Sequence, residues 1–210
     1  MPGRPPGPGL ACRLSNAPAR GYAGPGSDAG CRRASARRLA RDRQGRDAAR
    51  IDRLAAGWEA ALASVRRSRV ASDPVLRPDG AEARAAPPPG PYQCRLTRLG
   101  AGRGRRAVVR YPVNFCHIGV HEARLSFAKQ TGGERFDGCL YPDTDERWIF
   151  LGAKAARGEA MAPGYGADPA RDLVGLVERV GAMRYRLVIP SASGAGLDIV
   201  ELAPISAELR

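Results

Sequence analysis

Lysine is nearly missing from this chain: of its 34 basic residues only Lys129 and Lys154 are lysine. Histidine is almost as scarce, at two residues (His117 and His121), and aromatic side chains make up only 6% of the sequence. No stretch approaches the ~18 consecutive apolar residues of a membrane-spanning helix. Nor does an apolar run of about 7–15 residues follow a basic start, as an export signal requires. None of the five cysteines (Cys12, Cys31, Cys94, Cys116, Cys139) forms a Cys-x-x-Cys pair, which argues against zinc-ribbon or thioredoxin chemistry. The Gly-x-Ser-x-Gly turn of a serine hydrolase is absent. Gly100-Ala-Gly102-Arg-Gly104 is no phosphate loop, because no helix pattern and no Lys-Ser/Thr pair follow it.

Basic charge is plentiful, with a formal net charge of +13. Its distribution decides its meaning. Residues 1–50 hold eleven arginines against Asp28, Asp42 and Asp47, whereas the rest of the chain is close to balanced. Arg, Ala, Gly and Pro all have GC-rich codons, so coding bias and a solvated tail account for the basicity without selection for nucleic acid. Salt-dependent retention on DNA is the signature that nucleic-acid binding would show. Asp28-Ala29-Gly30-Cys31 echoes a lipoprotein cleavage site, but Asp28 stands where an aliphatic residue belongs and no apolar run precedes it.

The chain divides by composition. Residues 1–46 are rich in Gly, Pro, Arg and Ser and hold too little apolar surface to offset the entropy of ordering them, so a disordered tail is expected. An upstream segment included by a mis-assigned start is one origin for such a tail. Residues 47–70 read as an amphipathic helix: Asp47 can cap it, and Ile51, Leu54, Trp58, Ala61, Leu62 and Val65 recur at helical spacing. Trp58 and Leu62 are expected to pack on the remainder of the chain. Residues 71–91, ending Ala-Ala-Pro-Pro-Pro-Gly-Pro, read as a semi-rigid extended linker. Residues 92–205 read as an antiparallel β domain.

Nine strands are expected, near 92–99, 107–111, 114–120, 123–130, 134–141, 147–154, 172–180, 184–189 and 197–202, with turn residues between them. Arg184 and Arg186 alternate with Tyr185, Leu187 and Ile189. Trp148-Ile-Phe-Leu-Gly is apolar on both faces, as for a covered strand. Asp168-Pro169 suits a helical turn, and Leu173, Leu176, Val177 and Val180 also fit a helical stripe. A short turn leading into a strand is the preferred reading there.

Few groups have chemical character. Cys94 and Cys116 fall near the middles of neighbouring strands and could pair in an oxidising compartment or remain buried thiols. Cys116, His117, His121 and Glu122 have ligand types, but His117 and His121 stand about 13 Å apart on an extended strand, and Cys116 faces the other way. Asp143, Asp145 and Glu146 lack the glycine and distal glutamate of a calcium loop and read as a turn. Asp198 and Glu201 are the strand carboxylates that a hydrolase could use. Lys129, on one pleat face with Leu125 and Phe127, reads as a snorkelling strand lysine or as a polar anchor in an apolar pocket.

Many short ordered matches resemble one uncharacterised bacterial family. They include Asp52-Arg53-Leu54 with Trp58-Glu59, Tyr92-Gln-Cys94, Tyr111-Pro112 with Phe115-Cys116, and Phe127-Ala-Lys129-Gln-Thr131-Gly132. Gly138-Cys-Leu140-Tyr141-Pro-Asp143, Phe150-Leu151-Gly152 and Leu197-Asp-Ile-Val-Glu201-Leu202 continue them. The chain resembles domain of unknown function 4893, an alphaproteobacterial family, from about residue 47 to 204. The resemblance implies an exported protein with a periplasmic Cys94–Cys116 disulfide and no assigned activity.

The expectation is therefore a mainly β (α+β) protein: an antiparallel up-and-down barrel or half-barrel, lipocalin-like in shape, with one N-terminal helix. An envelope protein without catalysis, cofactor or metal follows, binding a small apolar molecule or another envelope protein. A barrel of about eight strands leaves room for one such ligand. Phe127, Lys129, Tyr141 and Trp148 are the candidate pocket residues. A nucleic-acid accessory protein using the basic tail, or an unrecognised hydrolase, are the alternatives. Localisation is periplasmic or secreted by resemblance, and cytoplasmic if the chain starts as written.

Overall fold

The computed structural model describes residues 46–63, 65, 73–100, 107–121, 124–191 and 196–205. The expected disordered tail, apart from Arg46, lies outside the described residues, as do Cys12, Cys31 and Glu122. Among the described residues, one helix, α1 (Arg46–Ala63), precedes a single 3-10 turn (Pro74–Leu76) and eight strands. The strands are β1 (Gly90–Leu99), β2 (Val108–His121), β3 (Arg124–Lys129), β4 (Phe136–Pro142), β5 (Trp148–Lys154), β6 (Asp172–Gly181), β7 (Arg184–Pro190) and β8 (Leu197–Pro204). Each pairs antiparallel with the next, and β8 returns to β1 from Tyr92 opposite Pro204 to Leu99 opposite Leu197. The result is a closed up-and-down barrel, which leaves no strand edge unpaired.

Eight strands replace the expected nine. The segments expected at 107–111 and 114–120 form one strand, β2, that runs straight through Tyr111-Pro112. Pro112 has no N–H to donate. It is accommodated where the β1–β2 register shifts between Arg95 and Thr97, since a bulge is one place where a sheet accepts proline. Residues 172–181 form a strand, after a turn in which the Arg171 amide donates to the Asp168 carbonyl over 2.9 Å. Leu173 and Val177 face inward while Val174, Leu176 and Val180 pack outside. Burial of both faces is what made this strand mimic a helical stripe.

Two apolar cores result. The first fills the barrel, where Phe127, Phe136 and Phe150 meet with centroids 5.5 to 6.0 Å apart, below Tyr92, Ile118, Leu187 and Leu202. Room for these rings comes from paired glycines: Gly138 lies opposite Gly152, and a Cβ on Gly152 would stand 2.3 Å from Phe150 Cζ. The second core lies outside the barrel, under α1. There Leu54, Trp58 and Ala61 cover Val188, Leu197 and Ile199, with Leu62 packed at the margin. Gly57 lets the helix lie close to the sheet: a Cβ there would approach Leu197 Cδ2 to 3.1 Å, and that side chain would have to give by a few tenths of an ångström.

The segment between α1 and β1 is strapped to the barrel. Its Glu82 amide donates to Arg179 O (2.8 Å) and its Ala85 amide to Asp145 O (2.9 Å), while Tyr92 donates its hydroxyl proton to Pro88 O over 2.7 Å. Arg186 holds the 3-10 turn. This arginine is completely buried on the outer face of the sheet. Its Nε donates to Glu178 Oε2 (2.6 Å). Its Nη1 donates to the carbonyls of Pro74 (3.2 Å), Val75 (3.1 Å) and Arg77, and Nη2 reaches Pro78 O at 3.4 Å. The Trp58 ring lies over the guanidinium, 5.0 Å from its centroid to Cζ. One side chain thus fastens helix, turn and barrel together, and a planar fork of five N–H donors is the group suited to it.

The polarity of the wall matters for its surroundings. Inward positions are mainly apolar, with Arg98, Lys129, Lys154 and Asp198 gathered toward the mouth, and outward ones include Gln93, Arg95, Arg110, Arg184 and Glu201 beside the exposed Val113 and Phe115. An outer-membrane barrel has the opposite pattern, with an apolar lipid-facing band and a polar lumen.

Candidate functional site

The barrel has two unlike ends. At the end where β1 and β8 meet β2 near Tyr92, the interior is closed by Tyr92, Tyr185, Leu202 and the disulfide between Cys94 and Cys116. Antiparallel pairing sets Tyr92 opposite Cys116 and Cys94 opposite Asn114, which brings the two cysteines to diagonal positions with Cα atoms 5.8 Å apart. Cys139, on β4, is disulfide-bonded as well.

At the other end the barrel opens into a cup of about 580 Å³. Its wall is Leu96, Phe136, Leu173, Ile189 and Val200, and its rim carries charge: Arg50 and Arg53 of α1, then Glu134, Lys154, Arg171, Asp172 and Asp198. Strand alternation explains the sorting. Leu96 and Arg98 face inward on β1, opposite Val200 and Asp198 on β8, so the apolar pair lies deeper and the ionic pair at the lip. Arg98 grips Asp198 through Nε (2.7 Å) and Nη2 (2.9 Å). It also reaches Glu134 at 3.5 Å and stacks against Tyr111. Arg171 is engaged by Glu159 and by the Lys154 carbonyl (2.9 and 2.7 Å). The volume falls within the range of small-molecule sites, and the apolar wall lies beneath a strongly charged rim.

The expected pocket residues are dispersed. Phe127 lies in the inner core below the cup. Lys129 is buried facing inward near the same mouth, and its Nζ donates to the carbonyls of Thr131 (2.7 Å) and Glu134 (2.8 Å), closing the β3–β4 turn. Burial pulls its ammonium below the usual lysine range, and Glu134 opposes that shift. Trp148 faces the interior at the opposite end of β5, and Tyr141 lies on the outer face of β4. Phe127 and Lys129 share a strand face, but none of the four lines the cup. Reasoning from sequence missed Leu96, Phe136 and Lys154; the inward alternation of β5, Trp148-Phe150-Gly152-Lys154, was the signal available for the last.

Other candidates are spread apart. Asp198 and Glu201 fall on opposite faces: Asp198 at the cup lip, and Glu201 outside, bonded to Arg184 (2.7 Å). Cys116 is committed to its disulfide and His117 is half-buried, its imidazole pushed below the ordinary histidine value by that burial. Asp143 pairs with Arg147 at 2.6 Å in the β4–β5 turn. Among the described residues no cluster of three metal-ligating side chains occurs, and no helix is long and apolar enough to cross a membrane.

Asp137, on the outer face of β4, is a buried carboxyl under the loop that joins β5 to β6. Its Oδ2 accepts the Ala162 amide (3.3 Å), while Oδ1 has no partner among the described residues. Burial raises its pKa from 3.8 to about 6, against a small lowering by that amide. The folded state therefore holds this proton more tightly than the unfolded chain. The stabilisation is fully present below about pH 4 and is lost as pH rises through about 6, on the order of 2–3 kcal/mol. Asp137→Asn should flatten the stability profile across that window and raise stability at neutral pH. Urea midpoints measured from pH 4 to 8 check this, and an unchanged slope in the variant would refute it.

The structure thus defines a closed eight-stranded antiparallel barrel, braced by an outer helix and open at one end. A family model described as "Domain of unknown function (DUF4893)" matches residues 38–202, and the chain belongs to that family. No curated protein and no solved structure matches the chain.

Proposed function

We propose that this protein is a non-catalytic binding module of the cell envelope that holds a small apolar ligand in the barrel cup. The observation that carries the reading is the cup itself: about 580 Å³ of space over an apolar wall, in a barrel otherwise packed tight with aromatic rings. A void of that size lined by Leu, Ile, Val and Phe gains from any apolar occupant that displaces water. The envelope assignment is supported by the Cys94–Cys116 bond, because such bonds persist in oxidising compartments, and by the exported character that the family resemblance implies. The mutual pairing of Arg98 with Asp198 leaves the lip carboxylate poorly placed for acid–base work, which favours binding over hydrolysis.

The test is a titration with N-phenylnaphthylamine, a neutral dye that brightens in apolar sites. The intact protein should saturate with one dye per chain, and Leu173→Trp, which fills the cup, should abolish most of the signal. Dye brightening that is absent, or equal in the variant, would remove this reading.

A further inference from the structure

We propose that the cup selects an anionic amphiphile, an aliphatic carboxylate whose head group is held by Lys154 at the lip; this rests on the cup being a ligand site. The argument is a charge inventory of the rim. Asp198 is gripped twice by Arg98, and Glu134 also lies within reach of that guanidinium. Asp172 accepts the Gly166 amide at 2.8 Å. Arg171 is committed to Glu159. Lys154 differs. It is half-buried at the inward-facing end of β5 and lines the cup, yet its ammonium makes no hydrogen bond or ion pair to any described residue. Arg53, exposed on α1 at the same rim, adds positive charge.

Lys129 sharpens the point. The chain's two lysines end at the same mouth, on β3 and β5, flanking β4. Lys129 spends its donors on two carbonyls of the β3–β4 turn, whereas Lys154 keeps three donors unspent beside Phe136. An ammonium at the lip, in contact with water and with the apolar wall below it, can exchange that water for an anionic head group through charge-assisted hydrogen bonds. The apolar wall directly below is where the tail of such an anion would lie. Neutral and cationic ligands of the same length would leave the ammonium unmatched or repelled.

Isothermal titration of the full chain near neutral pH, with decanoate, decanol and decyltrimethylammonium below their micellar concentrations, tests this. Decanoate should bind roughly tenfold more tightly than decanol, the size of one charge-assisted hydrogen bond, and the cation weakest of the three. Lys154→Met should reduce decanoate to the decanol level without altering decanol, and Lys154→Arg should keep most of the preference. Equal affinity for decanoate and decanol in the wild type, or a preference that survives Lys154→Met, would overturn the anionic selection and leave the apolar cup standing. Binding of none of the three would overturn the cup reading and this inference with it.

Discussion

Arg186→Met is expected to destabilise the protein by about 3–5 kcal/mol, the usual penalty for removing one partner of a buried ion pair. Methionine has comparable reach, so packing changes little and the loss is chiefly electrostatic. Glu178, whose side chain is only 12% exposed, would keep its charge without a counter-ion. The carbonyls of Pro74, Val75, Arg77 and Pro78 would lose their shared donor, and Trp58 the cation over its ring. Because α1 and the 3-10 turn are both fastened by this side chain, the outer core should loosen before the barrel does. Guanidinium denaturation followed by Trp fluorescence and far-ultraviolet circular dichroism measures both. Arg186→Lys should recover part of the loss, keeping the charge but not the fork. Adding Glu178→Met to Arg186→Met should also restore stability, since no unpaired charge is then left buried. A loss below about 1 kcal/mol in the single variant would refute the clasp.

Removing the disulfide should cost about 3 kcal/mol. Cys94 and Cys116 are 22 residues apart, and closing a loop of that size removes about this much chain entropy from the unfolded state. The double substitution Cys94→Ala with Cys116→Ala is the right probe, because chemical reduction would also open the bond at Cys139. Chemical denaturation of that variant should show a lower midpoint, while the β-sheet spectrum of the native state is retained, since the barrel is closed by hydrogen bonds from β1 to β8. An unchanged midpoint would mean that the bond constrains nothing the fold does not already constrain.

Much of this molecule was legible before its structure. Alternation of apolar and polar residues marked most of the strands, because a strand with one wet face repeats every two residues. The helix could be read from Leu54, Trp58 and Ala61, whose spacing of three to four residues serves one buried stripe. The turns at Thr131-Gly132 and Pro142-Asp143 are recorded in residues whose backbone preferences are local. The Cys94–Cys116 pair followed from two cysteines in adjacent strands together with a resemblance.

Long-range geometry was not legible. Strands read at 107–111 and 114–120 stopped short of each other, and only the pairing with β1, with its register shift, shows that one strand runs through Pro112. The burial of Arg186 was not legible either, because alternation separates the two faces without saying which element covers the outer one. α1, the 3-10 turn and Glu178 bury it. The cup was not legible for the same reason: a face can be read along one strand, but depth along the barrel axis depends on strand stagger, which sets Phe127 in the core and Lys154 at the lip.

The sequence by itself determined the local matters: an amphipathic helix and a β domain of short strands. Each depends on near neighbours in the chain, through residue preference or periodicity. Tertiary structure alone decided that the sheet closes, that one end is plugged with aromatics while the other is hollow, and that of two lysines at that mouth one is spent and one is not. Those outcomes depend on which distant residues come to share a volume, and no spacing along the chain encodes that.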